Sequence, residues 1–296
     1  MQKVVFLGLL LVASAVCSVE VNIGRGYHEE IGIPLAESIR AAEEEALARS
    51  ADSKDGRIVG GAVAPTNAHP YLAGLIISFW NIAGSSACGS SLLSQNRLVT
   101  AAHCWFDGRN QAWQFLVVLG SNMLFSGGTR IATSSVIMHP QWLPSLLAND
   151  VAVIFLPTSV TFSTSIQPIA LPSTTDLNNN FAGQWAVAAG FGRTSDSQVG
   201  ISINAVISQV NLQVITETQC RAVFGHFILP STICTNGAGG VGICNGDSGG
   251  PLVINRNGQN ILVGISSFVA ANGCQLGFPS AFARVTSFYN FLIQHL

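Results

Sequence analysis

Residues 58 to 296 predict an all-β protein closed by one C-terminal helix, and two observations carry that prediction. The apolar segments after Ile58 are short, rich in β-branched residues and separated by Gly, Pro, Asn or Ser, the punctuation of an all-β sandwich or barrel. The last stretch, "TSFYNFLIQHL", sets aromatic and aliphatic residues at mixed three and four spacings behind a Ser/Thr cap candidate. That pattern reads as a helix.

Three unlike stretches follow one another along the 296 residues. The first begins Met-Gln-Lys, continues with the apolar run "VVFLGLLLVA" and ends in the small residues of "SAVCS". These are the zones of a secretory leader, too short to span a bilayer, with cleavage expected between Ala15 and Ser18 and residues 1 to 17 removed. Residues 18 to 57 form the second stretch, with nine acidic and five basic side chains between 19 and 57 and no cysteine beyond Ser18. Its "PLAESIRAAEEEALAR" is built of good helix formers, yet its few large apolar residues give it little to bury. The third stretch, 58 to 296, carries only six acids and seven bases. Its strands are expected in "YLAGLIISF", "RLVTAAHC", "QFLVVLG", "DVAVIFL", "WAVAAGFG" and "ILVGISSF".

A hydrophobic share of 48% is ample for a core. The chain has no segment after the leader long enough to cross a membrane, and its net charge of −2 goes with no expectation of nucleic-acid binding. Removing Cys17 with the leader leaves six cysteines: Cys88, Cys104, Cys220, Cys234, Cys244 and Cys274. A secreted chain is expected to pair them, with 15 pairings open, and zinc binding is disfavoured because no C-x2-C spacing or His cluster accompanies them. The bases after Ile58 are all arginine, with no lysine. Guanidinium holds its charge beyond ~12 whereas a lysine ammonium titrates near ~10.4, so this composition suits a strongly alkaline medium.

The stretch "GVGICNGDSGGPLV" places Ser248 among five glycines and beside Asp247. Alone it could be a surface turn. Nucleophilic catalysis by serine also needs a base, a buried acceptor that orients the base, and oxyanion donors. His103 lies at the end of an apolar strand in "LVTAAHCW", and Asp150 at the mouth of another in "LANDVAVIFL", where burial is costly unless the carboxylate is paired. Each has a bland reading: a core histidine, a turn aspartate, a loop serine. Together, in the order His, Asp, Ser and each within its own motif, they resemble the chymotrypsin family of serine peptidases. The resemblance covers essentially all of 58 to 296, from "RIVGG" through "LVTAAHC", "NDVAVIFL" and "GDSGGPLV" to "GISSF" and "PSAFARVTSF", and the whole looks most like insect digestive chymotrypsins of lepidopteran midgut.

This resemblance implies a fold of two six-stranded antiparallel β-barrels, roughly 58 to 170 and 171 to 285, with a C-terminal helix. It implies His103 as general base and acid, Asp150 as its orienting partner and Ser248 as nucleophile, with the N–H groups of Gly246 and Ser248 as oxyanion hole. It further implies a zymogen cut after Arg57 by a trypsin-like protease, so that the new ammonium of Ile58 pairs with Asp247. The cysteine pairs implied are Cys88 with Cys104, Cys220 with Cys234 and Cys244 with Cys274. A further bridge found in relatives is missing, its positions being Ala186 and Ile254. The loop "GSNMLFSGGTR" lacks acidic ligands, so no metal and no cofactor is expected.

Substrate specificity is implied at Gly242 on the pocket floor, with Ser267, Phe268 and Val269 along one wall and Ser280 on the other. Gly242 supplies no carboxylate for a Lys or Arg side chain. Cleavage after uncharged residues is therefore expected, chymotrypsin-like, with elastase-like and broad collagenolytic specificity as alternatives because Val269 narrows the slot. The expected partners are protein and peptide substrates, the activating protease and protein protease inhibitors, around a monomeric enzyme secreted into an extracellular space such as a gut lumen. A cascade protease is the rival enzyme reading, and a binding module that has lost its triad is the non-enzyme one. Residues 19 to 57 carry no cysteine-rich module, and all three triad candidates are present.

Overall fold

The computed structural model describes residues 26–49, 62–65, 67–196 and 207–296. The expected leader with its cleavage site, and the Arg57–Ile58 bond, lie outside them. No helix among the described residues is long and apolar enough to cross a membrane.

The acidic stretch forms helix α1 (Ile33–Arg49), entered through a π-helical turn at His28–Gly32. Contrary to the expectation that it has little to bury, Tyr27, Leu35, Ala36, Ile39 and Ala42 are all buried. The reason is spacing rather than number: Leu35, Ile39 and Ala42 fall on one helical face, and Glu37, Arg40, Ala41, Glu44 and Glu45 are exposed on the other. Full burial of a Leu or Ile is worth about 1.5–3 kcal/mol, so two such residues and a tyrosine hold a short helix firmly.

Eight short strands follow: β1 (Ala62–Val63), β2 (Leu72–Phe79), β3 (Ser85–Ser94), β4 (Arg97–Thr100), β5 (Ala112–Leu119), β6 (Thr129–Thr133), β7 (Val136–Met138) and β8 (Ala152–Phe155). Strands β2 to β8 make one antiparallel sheet in the order β6-β5-β2-β3-β4-β8-β7. The second half contributes β9 (Trp185–Gly190), β10 (Ser208–Ile215), β11 (Thr232–Thr235), β12 (Pro251–Arg256), β13 (Gln259–Phe268) and β14 (Ser280–Arg284). These six close into a ring, because β9 pairs with both β10 and β12. A closed ring leaves no edge open to a foreign strand. Strand β1 joins this second ring, with Ala62 opposite Gln209. The all-β architecture expected from the punctuated strands is present, and of the two six-stranded barrels that the resemblance implied the second is closed, whereas the first is a half-barrel of seven strands with no pairing between β6 and β7 among the described residues.

Helix α2 (Glu217–Phe224) sits between β10 and β11 and was not anticipated. Helix α3 (Tyr289–Gln294) closes the chain where the sequence expected it, with Leu292 buried in the core of the first sheet. Disulfides join Cys88 to Cys104, Cys220 to Cys234, and Cys244 to Cys274. Each closes a loop of 14 to 30 residues, and a crosslink over such a span contributes about 3 kcal/mol in the chain-entropy account.

Candidate active site

The seam between the two barrels gathers His103, Asp150 and Ser248. His103 follows β4 in a short 3-10 turn, Ala102–Cys104, pinned by the Cys88–Cys104 bridge on β3. Asp150 precedes β8 and is almost wholly buried. Its cost of burial is offset by three donors: the His103 backbone N–H at 2.9 Å, the His103 Nδ1–H at 2.8 Å and the Ser267 hydroxyl at 2.6 Å. With Nδ1 committed to the carboxylate, Nε2 of the neutral ring is left as the acceptor. The Ser267 contact is one the sequence reading missed, having placed that residue only along the substrate pocket.

Ser248 stands on a turn that brings the two barrels into close contact. Its carbonyl accepts from Gly89 N–H at 2.7 Å across the seam, and Gly249 N–H donates to Ser266 O at 2.8 Å. At Gly249, with φ of +77°, a Cβ would lie 2.2 Å from Thr100 Oγ1 and 2.4 Å from Gly89 O. Only glycine fits there. Ser248 and His103 line one cavity, together with Ser267, Phe268 and Val269.

Asp247 occupies a separate recess. Its carboxylate accepts from Gly192 N–H at 3.0 Å and Cys244 N–H at 2.9 Å, and it lies against the Cα faces of Gly190 and Gly192, where any side chain would collide with it. Burial raises its pKa to about 6, against those two hydrogen bonds. The recess continues along Gly190, Arg193, Gln209 and Gly242. Gly242 borders this recess, whose lining shares Ile243 and Cys244 with the cavity that holds Val269. Ser280 is buried beside it, accepting from Ile243 N–H at 3.2 Å, with its hydroxyl 2.7 Å from where a Gly242 Cβ would stand. So the structure unites His103, Asp150, Ser248, Ser267, Phe268 and Val269, and sets Gly242, Ser280 and Asp247 behind them. Arg57 and Ile58 lie outside the described residues.

Comparison with known proteins decides the lineage. The Trypsin family model matches residues 58–292. The chain belongs to the trypsin family of serine peptidases. It is 40% identical over 238 residues to brachyurin of Leptuca pugilator, covering 79% of this chain and 96% of that protein. To a collagenase of Hypoderma lineatum it is 36% identical over 243 residues, covering 82% of this chain and 88% of that one. The solved structure of HL collagenase superposes with a TM-score of 0.72 at 35% identity, over 80% of this chain and 98% of the other. This trypsin-family chain is accordingly a serine endopeptidase, a hydrolase acting on protein substrates.

Two residues that no local motif announced complete the site. Tyr27 and Ile31, from the acidic stretch, line the cavity of His103 and Ser248. The Tyr27 ring meets the His103 imidazole edge-on with centroids 4.9 Å apart, and its hydroxyl donates to Ala87 O at 2.7 Å. Burial pushes the phenol above its usual pKa.

Proposed function

We propose that His103, Asp150 and Ser248 act as a catalytic triad, and the observation that carries this is the geometry around Asp150. A buried carboxylate that accepts both the backbone and the Nδ1 proton of one histidine fixes the ring's orientation and tautomer, presenting Nε2 toward the cavity that Ser248 shares. Ser248 attacks the scissile carbonyl as His103 takes its proton, and His103 then returns that proton to the leaving amine. Asp150 stabilises the imidazolium in between. The N–H groups of Gly246 and Ser248 receive the developing oxyanion.

The enzyme is made with a leader, 1–17, and a propeptide, 18–57, ahead of the peptidase domain 58–296, and is secreted. A trypsin-like protease activates it by cutting after Arg57. The recess behind Ser248 supports this: Asp247 is a half-buried carboxylate that, among the described residues, accepts from the neutral backbone N–H groups of Gly192 and Cys244, and an arriving Ile58 ammonium supplies a cation. Pairing draws the Asp247 carboxylate toward that terminus and sets the Gly246–Ser248 turn for catalysis.

Cleavage falls after uncharged residues, aromatic or leucine first. Neither carboxylate near the Cys244–Cys274 bridge is free to hold a Lys or Arg: Asp247 is committed to the Ile58 ammonium, and Asp196 is engaged by the backbone N–H groups of Cys274 and Gln275 at 2.8 Å. Broader, collagen-degrading specificity is the second reading, favoured by Val269 and by the 36% identity to a protein named collagenase. The enzyme works as a monomer in an extracellular space such as a gut lumen, under the control of protein inhibitors. Labelling by an organophosphate tests the triad, and a peptide library varied at the residue before the cut, with native collagen as a separate substrate, tests the specificity. No label on the trypsin-cut protein freed of residues 18–57 would overturn the first, and preference for Lys or Arg the second.

A further inference from the structure

We propose that residues 26–49 are a built-in inhibitor that occupies the catalytic cleft and stays seated there after the chain is cut at Arg57, so that departure of this segment, and not the cut alone, opens the site. The inference rests on the activation reading above for the place of the cut.

The segment covers the reacting groups one by one. Tyr27 lies on the His103 ring, within the cavity that Ser248 lines. Ile31 enters the cavity bounded by Phe268 and Val269. Leu35 approaches Gly246 so closely that a Cβ on that glycine would stand 2.6 Å from Leu35 Cδ2. Nucleophile, base, oxyanion glycine and specificity wall are thus all masked by three side chains from about two turns of helix.

Anchors lie within this plug and behind it. Within it, His28 N–H donates to Asp107 Oδ2 at 3.0 Å, the His28 ring bonds Ser86 Oγ at 3.0 Å, and Glu29 meets Arg109 at 3.0 Å. Behind it, the buried Glu43 carboxylate accepts the backbone N–H groups of Leu124 and Phe125, and Arg40 stacks on the Phe125 ring. Two glycines let the backbones close up: a Cβ on Gly32 would fall 1.9 Å from Ser86 Oγ, and one on Gly84 2.9 Å from Ile33 Cγ2. Such fit argues for a surface shaped to this segment.

The cut cannot by itself undo these contacts. All are made by residues 27 to 43, well before Arg57, and scission at Arg57 breaks none of them. No cysteine ties the segment down once the leader is gone, so it is free to leave, and its retention is an affinity. Nor is it a substrate in waiting. It enters as helix, with Tyr27 at φ −44° and ψ −44° and the Gly26 carbonyl already accepting from Glu30 N–H at 2.9 Å. An engaged, helical carbonyl is not one presented for attack.

The test uses the full chain, cut with trypsin, with the new Ile58 terminus verified by sequencing. On size exclusion the released segment should co-elute with residues 58–296. Progress curves should show a lag that dilution shortens, with apparent KM raised and kcat unchanged. Tyr27→Ala and Gly32→Leu should each weaken retention by at least roughly tenfold, the scale of a central interface residue. Should either variant fail to fold, a synthetic peptide of residues 26–49 added to cut wild-type enzyme freed of its segment should inhibit competitively, and the same peptide carrying Tyr27→Ala should not. A segment that separates at once, with full activity and no inhibition by the peptide, would overturn the proposal while leaving activation at Arg57 intact. A segment that co-elutes on an enzyme still inactive after its removal would uphold the docking and overturn the activation reading.

Discussion

Helix α1 and the two-barrel body behind it are built by different rules. Strand ladders and three disulfides hold the body together, with six acids, seven arginines and no lysine after Ile58. The segment ahead of it is charged and free of cysteine, and it meets the body through a phenol, an imidazole, two carboxylates, a guanidinium and a narrow apolar face. Ladders and crosslinks persist when single side chains change. Contacts of the second kind can be lost to one substitution or one protonation, so the body is held far more redundantly than the segment.

The largest effect that would break this division is Ser248→Ala. If the body carries all of the chemistry, hydrolysis by the trypsin-cut protein should fall by at least roughly a thousandfold, since triad members act as a unit, while its thermal unfolding stays close to wild type. Residual activity within about tenfold would move the chemistry elsewhere. Next comes Asp247→Asn, which should still be cut after Arg57 yet lose roughly a hundredfold or more, the scale of an ill-formed oxyanion hole. Normal turnover by that cut variant would dissociate activation from the recess. Third, Val269→Gly should move preference toward Phe and Tyr over Ala and Val by about 10- to 200-fold. An unchanged ratio would take Val269 out of the pocket.

The segment side is sharpened by pH. His28 is fully buried beside Asp107 and His103, and burial lowers its pKa from 6.5 to about 3, against the pull of Asp107. A lowered value means the docked form resists protonation. Docking strength due to His28 is thus complete above 6.5 and fades as pH falls from there toward 3, by roughly thirtyfold at pH 5. Glu43 works the other way, since burial raises its pKa and acid favours its docked form. Co-elution of the cut segment should therefore weaken from pH 8 to pH 5 in the wild type and hold or improve in His28→Gln. Equal pH dependence in both would remove His28 from the linkage. The smallest effect concerns the alkaline side. A free α-amino group titrates near ~8, and pairing with Asp247 raises the Ile58 value, so the active form keeps its stability below the free value and loses it as pH rises through the raised one. Activity should peak above pH 8, and an enzyme failing by pH 9 would contradict this.

What the sequence disclosed was what local chemistry encodes. Strands showed in their β-branched runs, and Ser248, His103 and Asp150 each stood within a motif whose glycines or apolar neighbours have a nearby structural reason. Helix α2 carried a readable signal that went unused: Thr216 and Gln219 form a reciprocal capping box, a spacing visible in "TETQ". The docking of α1 had no such local mark. Tyr27 finds Ala87 and Glu43 finds Leu124 across 60 and 81 residues, and only the folded seam brings them together. The face of Leu35, Ile39 and Ala42 was legible as spacing but not as a destination. Gly242 was placed by resemblance at the floor of the substrate pocket; in the fold it borders the Asp247 recess, which shares Ile243 and Cys244 with the cavity of Val269, a meeting of loops that no residue identity records.

The seat of α1 is made by both barrels at once. Leu35, Ala36, Ile39 and Ala42 pack in one cluster with Leu72, Ile76 and Val118 of the first barrel and with Ala189, Phe191 and Ile207 of the second. A nascent chain that has completed only its first half offers the helix half a berth. It also lacks Ser248, which arrives with the second half. Nucleophile and cover are therefore finished in the same act of assembly, and the cell that synthesises this peptidase need never hold a folded copy with its cleft exposed.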